Sequence, residues 1–112
     1  MKKTLLKSAA IITLISCTAQ KLAIPTEADV ERGKAKFANV TLQELQEGKK
    51  LLENNCNLCH KIYHPSDFSE DKWKNIIPPM VKKVNKKTGQ TTITPQDEEK
   101  ILKYILTMRE KK

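Results

Sequence analysis

Cys56-Asn57-Leu58-Cys59-His60 places two thiols three residues apart with an imidazole directly after the second. Three chemistries use parts of this pattern. A zinc ion could draw on Cys56, Cys59, His60 and His64, and His-x₃-His is an acceptable half-site. However, His60 adjoins Cys59, neighbouring side chains rarely converge on one tetrahedral ion, and the usual spacer between the Cys and His pairs is missing. A thioredoxin-like dithiol needs its CxxC at a helix N-terminus after a strand, whereas this one follows a helical pattern. Covalent haem uses all three residues: the thiols add to the two vinyl groups on one edge of a porphyrin, and the next residue brings imidazole beneath the iron. C-x-x-C-H is the attachment sequence for that group. Cys56 and Cys59 are therefore the expected thioether sites and His60 the proximal axial and metal ligand.

The sixth iron ligand decides what such a group does. A thioether opposite histidine favours Fe(II) and raises the potential, whereas an open position admits small molecules. Met80, Met108 and His64 are the candidates. His64 stands four residues from His60 and would stay on its side of the ring, and Met108 falls on an apolar helical stripe that suits core packing. Met80 follows Pro78-Pro79, which would hold a ligand-bearing segment rigid at low entropic cost. Met80 is the expected distal ligand.

The elements around the motif read as helices. A short helical pattern runs from Thr26 to about Phe37 with Glu27 and Asp29 in its first turn, where the helix dipole favours acids. Thr41 and Glu44 form a capping-box signature for a helix over 42–54 that leads into Cys56. Residues 61–70 read as loop and 71–77 as a short helix. Pro78-Pro79 is expected to interrupt it, with a turn or two resuming over 81–87. Thr94-Pro95-Gln96-Asp97 starts a last helix over 95–110, with Ile101, Tyr104, Ile105 and Met108 inward, widened by Leu102 and Leu106. No strand pattern of any length emerges, so the fold class is all-α. Asp29, Gly33 and Phe37 faintly echo Glu44, Gly48 and Leu52, but only the second set precedes a CxxCH, which implies one cofactor.

The chain opens with a basic segment carrying Lys2, Lys3 and Lys7, an apolar run from Leu5 to Ile15, and Leu14-Ile15-Ser16-Cys17. This is the pattern of an export signal, too short to span a bilayer permanently. Its end resembles a bacterial lipobox, which implies lipidation of Cys17. The expected organisation is a signal peptide over 1–16, a tether over 17–25 and one domain over 26–112. Localisation follows as exported, on the periplasmic or cell-envelope side and lipid-anchored. The remaining 96 residues can build only a modest core and have five aromatic residues, Phe37, Tyr63, Phe68, Trp73 and Tyr104. Net charge falls from +8 to +5, with 18 basic residues against 13 acidic. Export and the lack of an aromatic-interleaved basic stripe argue against nucleic acid. Lys49, Lys50, Lys61, Lys82, Lys83, Lys86 and Lys87 suit an acidic redox partner instead.

The flanks of the motif resemble class I c-type cytochromes. Gly48 lies eight residues before Cys56 and Leu52 four before it, and Ile101 and Tyr104 match the apolar and aromatic contact pair of the family's last helix. The resemblance covers residues 42–110. It implies a small cytochrome c-like fold with N- and C-terminal helices crossed around one covalent haem c. Gly48 at the crossing would allow close backbone approach, with Tyr104 packed across it. Met80 comes only 20 residues after His60, which departs from many members and implies that a middle helix is missing. Pro65, through its carbonyl to the His60 imidazole, is an expected haem contact, and Trp73 either donates its indole N–H to a propionate, as tryptophan does in related folds, or simply packs in the core. The implied function is single-electron transfer between respiratory partners by a monomeric carrier that is not an enzyme. The alternative is a haem protein with an open distal site that binds small ligands or has peroxidase-like activity.

Overall fold

The computed structural model describes residues 21–56 and 62–111, so Cys17, Cys59, His60 and Lys61 lie outside the described residues. Among the described residues there are four α-helices: α1, Glu27–Gly33; α2, Leu42–Asn55; α3, Glu70–Thr88; and α4, Pro95–Met108. A single 3-10 turn, Pro65–Asp67, precedes α3. There is no strand among the described residues, and no helix among them is long and apolar enough to cross a membrane.

Local signals start the helices. At α2 the Thr41 hydroxyl accepts from the Glu44 amide at 3.2 Å while Glu44 accepts from the Thr41 amide at 3.0 Å. Thr94 and Asp97 repeat this reciprocal pair at α4, each bond 3.1 Å. These pairs satisfy amides that an isolated helix start leaves without partners.

α4 is the central element, and its largest interface is with α2. Ile101, Tyr104, Ile105, Leu106 and Met108 are all buried on it. Gly48 of α2 sits directly on α4: a Cβ there would overlap the Lys100 carbonyl oxygen and meet the Tyr104 Cβ at 2.9 Å. The expected close crossing is present, and only a residue without a side chain permits it. Gly33 of α1 makes a looser version of the same contact against Thr107, so the faint sequence echo corresponds to two helices docked on one. Asp29, 1% exposed, locks α1 to the end of α4. It accepts from the Thr26 amide and hydroxyl and from Arg32, whose guanidinium also reaches the Thr107 carbonyl at 3.0 Å. Burial works against its charge, but the Thr26 amide, Arg32, the Thr26 hydroxyl and Lys111 outweigh it and hold the carboxyl below its ordinary pKa.

Two expectations are corrected. Pro78 and Pro79 do not break α3, which runs unbroken through both. Two interior prolines cost about 3 kcal/mol each. Against that, Trp73, Ile77, Val81 and Val84 form one buried stripe that spans the prolines, and full burial of such side chains contributes about 1.5–3 kcal/mol apiece. The carbonyls that lose their donors belong to Lys74 and Asn75, both exposed and able to bond water. Ser69 caps the start, and Gly89, with φ 71°, ends the helix in the left-handed conformation. The span between His60 and Met80 therefore contains the first half of a long helix, not a broken short one.

The second correction concerns the tether. Residues 21–25 are not a free linker: Leu22 is 5% exposed within the main core, Pro25 is buried, and the Tyr104 hydroxyl donates to the Ala23 carbonyl at 2.7 Å. Burial raises the pKa of that hydroxyl, which keeps it protonated and able to donate. The strap packs because Leu22 has apolar surface to bury and α4 offers a buried donor that needs an acceptor.

Two measurements test this architecture. Gly48→Ala should lose about 3 kcal/mol in urea unfolding, since the obstacle is a backbone carbonyl that cannot swing aside. Pro79→Ala should raise the unfolding free energy by about 2 kcal/mol, and the urea midpoint with it, restoring an amide donor inside a helix. A lowered midpoint would mean that the prolines end the helix after all.

Candidate functional site

The stripe that holds α3 in place also faces the end of α2. Trp73, Ile77 and Met80, spaced i, i+4 and i+7, line one wall of a pocket. Leu52 and Cys56 at the end of α2 form the opposite wall, and Ile62 and Tyr63 complete the lining. Its cavity volume is about 10 Å³, room for about one water and far below ligand-pocket sizes of about 300–1,000 Å³. Its lining is aliphatic, aromatic and sulfur-bearing, with no carboxylate or amine.

Cys56 is the first residue past α2, and its amide still donates to the Leu52 carbonyl at 3.0 Å. The helix thus aims the first thiol of the motif into the pocket. Burial raises its pKa, so it stays a protonated thiol in this setting. Met80 is half-buried on the facing helix. It reaches the pocket from a regular helical turn, where the sequence suggested a proline-stiffened loop.

The other two candidates for a distal ligand face elsewhere. His64 and Met108 line a separate pocket with Ala23, Pro65, Tyr104 and Lys111. Met108 is core, and the His64 ring caps the 65–67 turn: its Nδ1 accepts from the Ser66 amide at 3.2 Å. Cys56 and His64, the two described members of the zinc set, therefore line different pockets.

Trp73 and Pro65 meet each other. The indole N–H donates to the Pro65 carbonyl at 2.8 Å in a fully buried bond. Indole has a single donor, which Pro65 takes here, and Trp73 packs in the core at 3% exposure. The Pro65 carbonyl keeps a second lone pair, the one an imidazole N–H could use. Behind this bond runs an aromatic series that sequence reading missed. Tyr63 and Phe68 have ring centroids 5.0 Å apart, and Phe68 meets Trp73 edge-on at 5.1 Å. Lys72 Nζ lies 4.5 Å from the Phe68 ring centroid. The five-residue spacing of these aromatics fits no helical period and gave no signal. Their contact depends on the turn at Pro65.

The lysines divide into groups. Lys49 is paired with Glu53 along α2, and Lys50 borders an open groove with Glu47 and Asp97. Lys82, Lys83, Lys86 and Lys87 are exposed on the second half of α3, which has no acid after Asp71.

Trp73→Phe tests the buried bond. Removing its donor leaves the Pro65 carbonyl unpaired and should cost about 1–3 kcal/mol in chemical denaturation. Unchanged stability would show that the bond contributes little.

Comparison of the chain with protein-family models, with curated proteins and with solved structures finds no match.

Proposed function

We propose that this protein is a membrane-tethered, monohaem electron carrier of the class I c-type cytochrome kind, exported and lipidated at Cys17. The observation that carries the reading is that Cys56, first thiol of the CxxCH, and Met80 wall the same apolar pocket. Cys56 and Cys59 would hold haem c through thioethers, with His60 and Met80 as its axial ligands. The donor set fits the group: a thiol at a helix end, a thioether across from it, and a lining without charges that would compete for iron. Bound haem c supplies a one-electron Fe(III)/Fe(II) couple.

The chain's own residues do the rest. The α2–α4 crossing fixes the direction in which Cys56 leaves α2. The Trp73–Pro65 bond holds a carbonyl with one free lone pair, available to orient the His60 ring. Leu52, Trp73 and Ile77 exclude water and favour the less charged oxidation state. A porphyrin needs more room than the present pocket gives. Ile62 and Tyr63 form the wall that yields, because the remaining walls are helix faces set in the core; Tyr63 is 44% exposed. Lys82, Lys83, Lys86 and Lys87 offer an acidic partner a positive surface that would accelerate encounter at low salt.

The test is an intact mass and absorption spectra of both oxidation states, for protein made in a host with cytochrome-maturation machinery. Wild type should carry one haem and resist carbon monoxide when reduced. Met80→Ala should shift the spectrum and bind carbon monoxide readily. A mass without haem, with Cys56 and Cys59 both open to alkylation, refutes the proposal, while rapid carbon monoxide binding by wild type favours the open-site alternative.

A further inference from the structure

The docked strap sets how the domain sits on a membrane. Cys17 precedes Leu22 by five residues, a stretch that reaches at most about 18 Å when fully extended. A domain of about 100 residues has a radius of gyration near 13 Å, and so is wider than that reach. Leu22 is fixed in the core, and Ala23 is held by the Tyr104 hydroxyl. A lipid chain on Cys17 therefore cannot let the domain turn freely; the face around the strap must stay near the bilayer.

That face has a composition suited to contact. Ile24 is 72% exposed, the most exposed large apolar side chain among the described residues. Lys21 and Lys111 are exposed beside the strap and the cavity that Ala23 lines. Glu27 and Glu31 on α1 are exposed nearby, and Asp29 pairs with Lys111 at 3.4 Å. Charge is thus close to balanced on this face, and contact depends on Ile24 and the short reach, not on anionic lipid. The lysine-rich end of α3 lies well away from the strap. Trp73 is bonded to Pro65, on the rim of the Ala23 cavity, and Lys86 lies thirteen residues further along α3, about 20 Å at 1.5 Å per residue.

We propose that the face bearing Ile24, Lys21 and Lys111 is a lipid-contact surface that rests on the bilayer and turns the lysine-rich end of α3 outward. The proposal rests on the reading of Cys17 as a lipidated anchor.

Amine footprinting of the full-length protein on phosphatidylcholine vesicles, compared with the same protein in detergent-free solution as Cys17→Ala, tests it. A water-soluble acylating reagent should modify Lys21 and Lys111 several-fold more slowly on vesicles, with Lys82, Lys83 and Lys86 unchanged. Ile24→Glu should abolish this protection while the protein still co-floats with vesicles. Equal protection at all five lysines, or protection confined to the α3 lysines, overturns the surface but leaves the anchor standing. Failure of the wild-type chain to co-float overturns the anchor and the surface with it.

Discussion

The contact of Gly48 with the Lys100 carbonyl and Tyr104 is the constraint from which the rest of the structure follows. Two helix backbones approach so closely there that no Cβ fits between them. This fixes the direction of α2 relative to α4, and with it the place where Cys56 leaves the helix. It also sets the depth of Tyr104, whose hydroxyl then finds the Ala23 carbonyl and fastens the N-terminal strap. One missing side chain thus connects the motif, the core and the entry of the chain.

Around that crossing, polar groups hold direction and apolar groups supply energy. Asp29, Arg32 and the Thr107 carbonyl tie α1 to the end of α4, and Asn85 tightens the turn between α3 and α4 by bonding the amides of Thr92 and Ile93. Each such bond adds only about 1 kcal/mol net, yet each would leave a buried group unpaired if shifted. The apolar stripe of α3 contributes more energy but less precision. Its combination with two prolines leaves Met80 on a helix whose backbone lacks two donors. Such a turn yields more easily than a fully bonded one.

The pocket at the end of α2 joins these features. Its walls come from three separate stretches: the end of α2, residues 62–63 and the middle of α3. The Trp73–Pro65 bond couples the last two, because the indole that lines the pocket also pins the turn after it. A change on α3 would consequently be felt at the Pro65 carbonyl.

Much of this is legible in the amino-acid sequence. The capping pairs at Thr41 and Thr94, the inward face of α4 and the glycine at the crossing involve residues a few positions apart, so local hydrogen bonding and helical period reveal them. The CxxCH is a chemical motif of the same short range. The continuity of α3, the docking of residues 22–25 and the pairing of Trp73 with Pro65 are decided by tertiary structure. In each case a local rule is silent or points elsewhere: prolines read as breakers, residues 22–25 read as a tether, and nothing local pairs Trp73 with Pro65. Each outcome is set by burial against residues distant in the chain, an energy that no short window of sequence contains.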